Sequence, residues 1–177
     1  TINIEDNDPP VITGCPEDIS VSNAPGLCSA VVTWTPPVST APMVSTHLPG
    51  ATFPAGVTVV TYTSTDGDGM VSTCTFNVTV NDTEPPVVVC TDITVELDAS
   101  GNAAIAPADV LTSLPVDNCA IASVTLSRSA FTCADLGTVT VTVTATDASG
   151  NSATCDAAVT ITDPFPASVS AGSDDEI

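Results

Sequence analysis

Residues 138–146 alternate strictly: Val139, Val141, Val143 and Ala145 form one row, and Thr138, Thr140, Thr142, Thr144 and Thr146 the other. A period of two over this length predicts a strand with one face in a core and one in water. Shorter segments of the same kind run along the chain, bounded by the turn-forming clusters "NAPG", "TPPVSTAP", "DGDG" and, twice, "DASGN". No stretch has sustained helical periodicity, and "PADVLTSL" at 107–114 fits a single turn. Many short strands at this spacing predict an all-β sandwich of two packed sheets.

The pattern occurs twice. "DNDPPVITGC" (6–15) returns as "NDTEPPVVVC" (81–90), and "CPEDISV" (15–21) as "CTDITV" (90–95). "TVVTYTSTDGDGMVSTCTFNVTVND" (58–82) returns as "TVTVTVTATDASGNSATCDAAVTITD" (138–163). Two copies of one β-domain are therefore expected. The pairs Pro9-Pro10 and Pro85-Pro86 mark the entry to each copy. Consecutive prolines fix φ and bias the chain to a short extended spacer.

Composition narrows the chemistry. Of 177 residues 43% are hydrophobic and only 3% aromatic, a vocabulary of Val, Ala and Ile that suits sheets. Asp and Glu number 21 against one basic residue, Arg128, giving a formal net charge of −20. Phosphate binding depends on Lys and Arg, so nucleic-acid and anionic-membrane partners are excluded. No run of 18 apolar residues is present, and no membrane insertion is expected. The one histidine, His47, lies in a Pro-rich loop without a neighbouring carboxylate, and there is no lysine or G-x-S-x-G turn. Nucleophiles thus lack a base, and one Trp and one Tyr make a poor glycosidase cleft, so no enzyme is predicted. Trp34, in an alternating segment, reads as core or domain-edge packing rather than a ligand platform. Asn77-Val78-Thr79 and Asn81-Asp82-Thr83 fit the N-glycosylation pattern, which matters only in a eukaryotic source. Seven cysteines without a C-x-x-C pair point to disulfides in an oxidising compartment rather than zinc.

The order Pro-Pro, "CP.DI.V", "PG.C.AVV.W", "FP.G.T.V.Y...D", "TC.F.V.V.D" resembles the hyalin repeat, an immunoglobulin-like extracellular module found in tandem in animal matrix and bacterial surface proteins. Residues 8–83 follow the pattern nearly throughout. Residues 84–163 follow it at both ends and resemble, in the middle, a variant common in giant bacterial surface proteins. The resemblance implies two tandem immunoglobulin-like β-sandwich domains, 8–83 and 84–163, joined by a short proline-rich linker. Residues 1–7 would close a preceding repeat, and 164–177 would lead to a following domain. It implies a non-catalytic stalk or fibre of a cell-surface adhesin, taken as bacterial. Its partners would be neighbouring repeats of the same chain, surface glycans or like molecules. The alternatives are a carbohydrate-binding or accessory module of a secreted enzyme, or a self-assembling filament subunit.

Cysteines shared by both copies are expected to pair, Cys15 with Cys74 and Cys90 with Cys155, because the first strand of such a topology lies beside the last. Cys119 and Cys133 would then pair, and Cys28 would remain as a buried free thiol. The turn before each last strand should return to the incoming end of its domain. Asp66 and Asp68 would meet Asp6 and Asp8 there, and Asp147 would face Asp82 and Glu84. Carboxylates are the ligands calcium prefers, so these seven residues form the candidate calcium set, with affinity in the extracellular range of about 10⁻⁴–10⁻³ M. The competing reading is that Asp, Asn and Gly here serve turn geometry alone.

Overall fold

The computed structural model describes residues 7–165. The expected tail of a preceding repeat, Asp6 and most of the outgoing linker lie outside them. The chain divides into two compact units between Glu84 and Pro85.

In the first unit the strands are β1 (Ile12–Thr13), β2 (Ile19–Ser22), β3 (Ser29–Val32), β4 (Val38–Ser39), β5 (Met43–Ser45), β6 (Ala51–Pro54), β7 (Gly56–Thr65) and β8 (Val71–Asn81). Strands β2-β8-β7-β5 form one sheet, and the pairs β3-β6 and β1-β4 complete the sandwich. Alternation decides which side chains meet. Val60 and Tyr62 of β7 and Cys74, Phe76, Val78 and Val80 of β8 point inward onto Ala30 and Val32 of β3 and Phe53 of β6. Each buried Val or Phe contributes about 1.5–3 kcal/mol relative to exposure. Trp34 packs edge-on against Phe53 and Phe76, and its indole N–H donates to the Tyr62 hydroxyl at 2.8 Å. It is therefore core packing. Ser64, the buried polar position of β7, is satisfied by the Ser39 hydroxyl at 2.6 Å and the Ala41 carbonyl at 3.2 Å.

The second unit contains β9 (Ile93–Glu96), β10 (Asn102–Ala104), β11 (Ile121–Leu126), β12 (Ala130–Thr132), β13 (Gly137–Asp147) and β14 (Ser152–Thr162). Here the sheet β11-β13-β14-β9 packs on the pair β10-β12. Val141, Val143 and Ala145 are wholly buried, as the alternation predicts, with Ala157, Val159 and Ile161 beside them on β14. "PADVLTSL" supplies one 3-10 turn, Pro107–Val110, that sinks Val110 into the core. A second turn, Cys133–Asp135, has no precursor in the periodicity. Its start is held by Asp135, which accepts the Thr132 N–H at 2.8 Å and an ion pair from Arg128.

In each unit an early strand pairs in parallel with the last, β2 with β8 (Ile19 opposite Val78) and β9 with β14 (Ile93 opposite Val159). A bridge sits at each of these pairings, Cys15–Cys74 with Cα atoms 5.9 Å apart and Cys90–Cys155 at 5.7 Å. The expectation for the other three cysteines is corrected. Cys28 is disulfide-bonded and only half-buried, Cys119 is also disulfide-bonded, and the free thiol is the exposed Cys133. Geometry forbids a Cys119–Cys133 bridge. Cys119 precedes β11, whose first residue lies opposite Asp147 at the far end of β13, whereas Cys133 precedes the near end of β13. An 11-residue strand separates those ends by about 30 Å, and a disulfide needs Cα atoms within about 7 Å. The Cys133 thiol instead packs on Gly101, whose φ of +76° and missing Cβ leave room for it.

Candidate functional site

The carboxylates of interest stand at strand ends, so what they bond decides what they do. In the first unit the incoming segment and the β7–β8 turn lie at the same end. Val11 exchanges hydrogen bonds with Thr40, and the Thr65 N–H reaches the Pro42 carbonyl at 3.2 Å. Asp66 opens the turn and accepts the N–H groups of Asp68 at 3.0 Å and Met70 at 2.8 Å, both on Oδ1. Its Oδ2 is buried and carries no hydrogen bond. Asp68 is exposed and Asp8 is exposed. Asp6 lies outside the described residues.

In the second unit the corresponding Asp147 is 2% exposed and fully engaged. Its Oδ1 accepts the N–H groups of Ser149 and Asn151, each at 2.8 Å, and its Oδ2 the Asn151 side-chain amide at 2.8 Å. Burial pushes this carboxyl up, but the amide donors outweigh it, so it lies below the ordinary carboxylate range. The mid-domain loop is close, since the Ala148 N–H donates to the Ala120 carbonyl at 2.9 Å. In that loop Asp117 Oδ1 accepts the Cys119 N–H at 2.9 Å, while Asp117 Oδ2 is buried without a donor.

Glu84 does other work. Both its oxygens accept the Gly26 N–H, at 2.9 and 3.0 Å, and Oε1 also receives the Asn23 amide at 3.4 Å. The N–H is presented because Gly26 adopts φ +70° in "NAPG". Asp82 Oδ1 accepts the Glu84 N–H at 3.3 Å. Asn23, buried, completes the clamp by accepting the Thr83 N–H at 3.1 Å. This holds the exit of β8 against the turn after β2.

Sequence reasoning passed over a second device. Asp18 accepts the Asn77 N–H at 2.7 Å and its side-chain amide at 3.0 Å, and Asp92 accepts the Ala158 N–H at 2.8 Å. Each aspartate stands just before the first paired strand and closes the ladder to the last. The signal was present, because "Asp-Ile" follows the first cysteine of both copies. The Asn77 backbone donor, then its side chain, holds the Asp18 carboxyl below the usual range.

No titratable constellation with catalytic geometry accompanies these groups among the described residues. His47 lies against Phe53, 5.1 Å between ring centres. A cleft of about 340 Å³ over β10-β12 is floored by Ala103, Ala104, Ala130 and Phe131 and rimmed by Asp98, Asn102 and Thr132. Asp98 Oδ1 is engaged by the Ser100 and Asn102 N–H groups of its own turn, and the Thr132 hydroxyl by the Ala134 N–H.

Two immunoglobulin-like sandwiches, each with an early strand parallel to the last and a disulfide from the segment before it to that last strand, define a tandem β-module built for an oxidising environment. Residues 5–80 and 81–161 match the HYR domain family, and the chain belongs to it. Hyalin of Strongylocentrotus purpuratus is 35% identical over 178 residues, covering 92% of this chain and 14% of that protein. The Mus musculus sushi, von Willebrand factor type A, EGF and pentraxin domain-containing protein 1 is 39% identical over 82 residues, covering 42% of this chain and 2% of that protein. The chain thus spans a small fraction of these curated relatives. A crystal structure of human mucin-like protocadherin EC1-2 aligns at 14% identity with a TM-score of 0.41, covering 87% of this chain and 98% of that one. A likeness that weak carries no argument. The relatives are animal proteins, and the expected bacterial source finds no support in them. The protein is an extracellular or cell-surface one, and no helix among the described residues is long and apolar enough to cross a membrane.

Proposed function

We propose that the chain is a load-bearing, non-catalytic segment of a long extracellular adhesive protein. The observation that carries this reading is the covalent tie between the entering segment and the last strand in each unit. A pull on the two ends of the first unit enters near Cys15 and leaves near Cys74, so the 59 residues of sequence separation between them are bypassed. The same holds for Cys90 and Cys155, separated by 65. Once the bridges are reduced, the load passes to the parallel pairings of β2 with β8 and of β9 with β14, whose ladder hydrogen bonds then lie in shear with Asp18 and Asp92 as end latches. Single-molecule stretching of the oxidised chain is expected to show little extension per unit. Reduction should add roughly 200 Å per unit, the contour of the released loops at about 3.4 Å per residue. Equal extension with and without reductant would overturn the reading.

Calcium is proposed as a support at the unit ends, on a different residue set from the seven named from the sequence. Asp147 does not fit, because both its oxygens are used by its own turn. Asp66 Oδ2 and Asp117 Oδ2 fit, because a buried carboxylate oxygen without a donor is unfavourable until a cation or water meets it. Millimolar calcium is expected to raise the melting temperature over that in chelator by several degrees. An unchanged midpoint removes calcium from the account.

A further inference from the structure

We infer that the outer face of the β2-β8-β7-β5 sheet is a self-association surface, on which a second copy of this chain docks face to face. In a chain of net charge −20, none of the residues of these four strands is ionisable apart from the buried Tyr62. The equivalent sheet of the second unit carries Glu96, Asp147 and Asp156. Outward on the first unit's sheet stand Ser20, Thr61, Thr63, Thr73, Thr75 and Thr79, with Val44, Val57, Val59 and Val71 among them. Those four valines are 53–71% exposed. Asp18, one residue before β2, borders the face on its β2 side, where its carboxylate accepts the N–H and side-chain amide of Asn77, the β8 residue opposite Val59.

Charge selects the occupant. Two copies that meet through any acid-bearing surface bring like charges together, and the four strands of this face add none of their own, leaving the Asn77-bound carboxylate of Asp18 at its edge. A two-fold axis makes the same patch meet itself, residue i on j and j on i, and hydroxyls suit such a contact because they donate and accept equally. The face lacks the aromatic platform of a sugar site and the cations of a polyanion site. At strand spacing of about 4.8 Å and 3.3 Å per residue it offers roughly 500 Å² per copy. That is the area of a weak, reversible contact, which becomes strong only when several act in register. This goes beyond the load-bearing reading, which requires no contact between copies.

The test is sedimentation equilibrium of the whole chain up to about 1 mM, in low and high sodium chloride. The expected result is a reversible dimer that tightens with salt, because screening removes the residual repulsion. Val59→Glu should weaken it at least tenfold. Val31→Glu, at a 68% exposed valine on the other sheet, should leave it within twofold. Circular dichroism establishes that each variant folds, and Thr75→Glu replaces Val59→Glu if that one does not. A chain that stays monomeric at 1 mM in high salt, or equal weakening by Val31→Glu, overturns the proposal. So does a monomer retained on an immobilised polysaccharide through this face, which would assign it to a glycan. None of these outcomes alters the stretching result.

Discussion

The hairpin turns at 66–70 and 147–151 occupy the same place in the two units and open with the same aspartate, yet they finish differently. In both, the first carboxylate oxygen accepts two backbone N–H groups. In the second unit Asn151 turns its side-chain amide onto the other oxygen, and in the first that position is Met70, which has no donor to offer. One residue therefore separates a turn that satisfies itself from one that leaves an oxygen to be met from outside. An acidic turn in an extracellular module is not in itself a cation site. What counts is whether the turn has already used its oxygens.

If the units share one frame and differ mainly in such details, the frame should cost the same to break in both. The paired substitutions Cys15→Ala with Cys74→Ala, and Cys90→Ala with Cys155→Ala, open loops of nearly equal length. Loop entropy gives about 4 kcal/mol for each, with a difference of under 0.5 kcal/mol. Urea unfolding of the oxidised variants measures this. A much smaller loss in one unit would show that its bridge is not the main fastening.

Exchanging the turns is the next largest effect. Asn151→Met leaves one oxygen of a buried carboxylate without its donor and should lower the second unit's midpoint by about 5 °C. Met70→Asn supplies the missing donor to Asp66, and should raise the first unit's midpoint while removing any calcium response at that turn. Calorimetry with and without chelator reads both. A calcium response that survives Met70→Asn would sink the role assigned to Asp66 Oδ2.

How much of this was legible follows from where the information sits. Val139 to Ala145 lie on one regular strand, so their burial was written in the alternation, and the repeat of Cys15 and Cys74 as Cys90 and Cys155 exposed two bridges. Cys28, Cys119 and Cys133 have no such duplication. Elimination paired the last two because they share a unit, and it failed because the length of β13 sets them at opposite ends. The candidate calcium residues were identified by type and place, but their hydrogen bonds were not legible. Glu84 clamps Gly26 across 58 residues of sequence, and no local pattern announces that contact. Asp18 and Asp92 were visible as a repeated "Asp-Ile" and were passed over because a lone acid before a strand looks like ordinary surface.

The smallest effect expected concerns those latches and pH. Asp18 lies below its ordinary value of 3.8 because the Asn77 N–H, and then its side-chain amide, favour the carboxylate in the folded chain. A group depressed on folding adds stability that is fully present above its unfolded pKa and is lost as pH falls through its folded one. The first unit should therefore hold its full share at pH 5 and lose it progressively as pH falls below the ordinary carboxylate value. Asp18→Asn cannot accept both donors as an anion, so it should lower the midpoint at pH 5 slightly and flatten the fall below pH 4. In the second unit Asp147 is depressed in the same sense, and its acid limb should survive Asp18→Asn unchanged. Thermal unfolding followed at pH 5, 4, 3 and 2 separates the cases. An acid limb equally steep in wild type and Asp18→Asn would show that the latch carries no proton linkage, and would leave the parallel ladder to hold the strand ends alone.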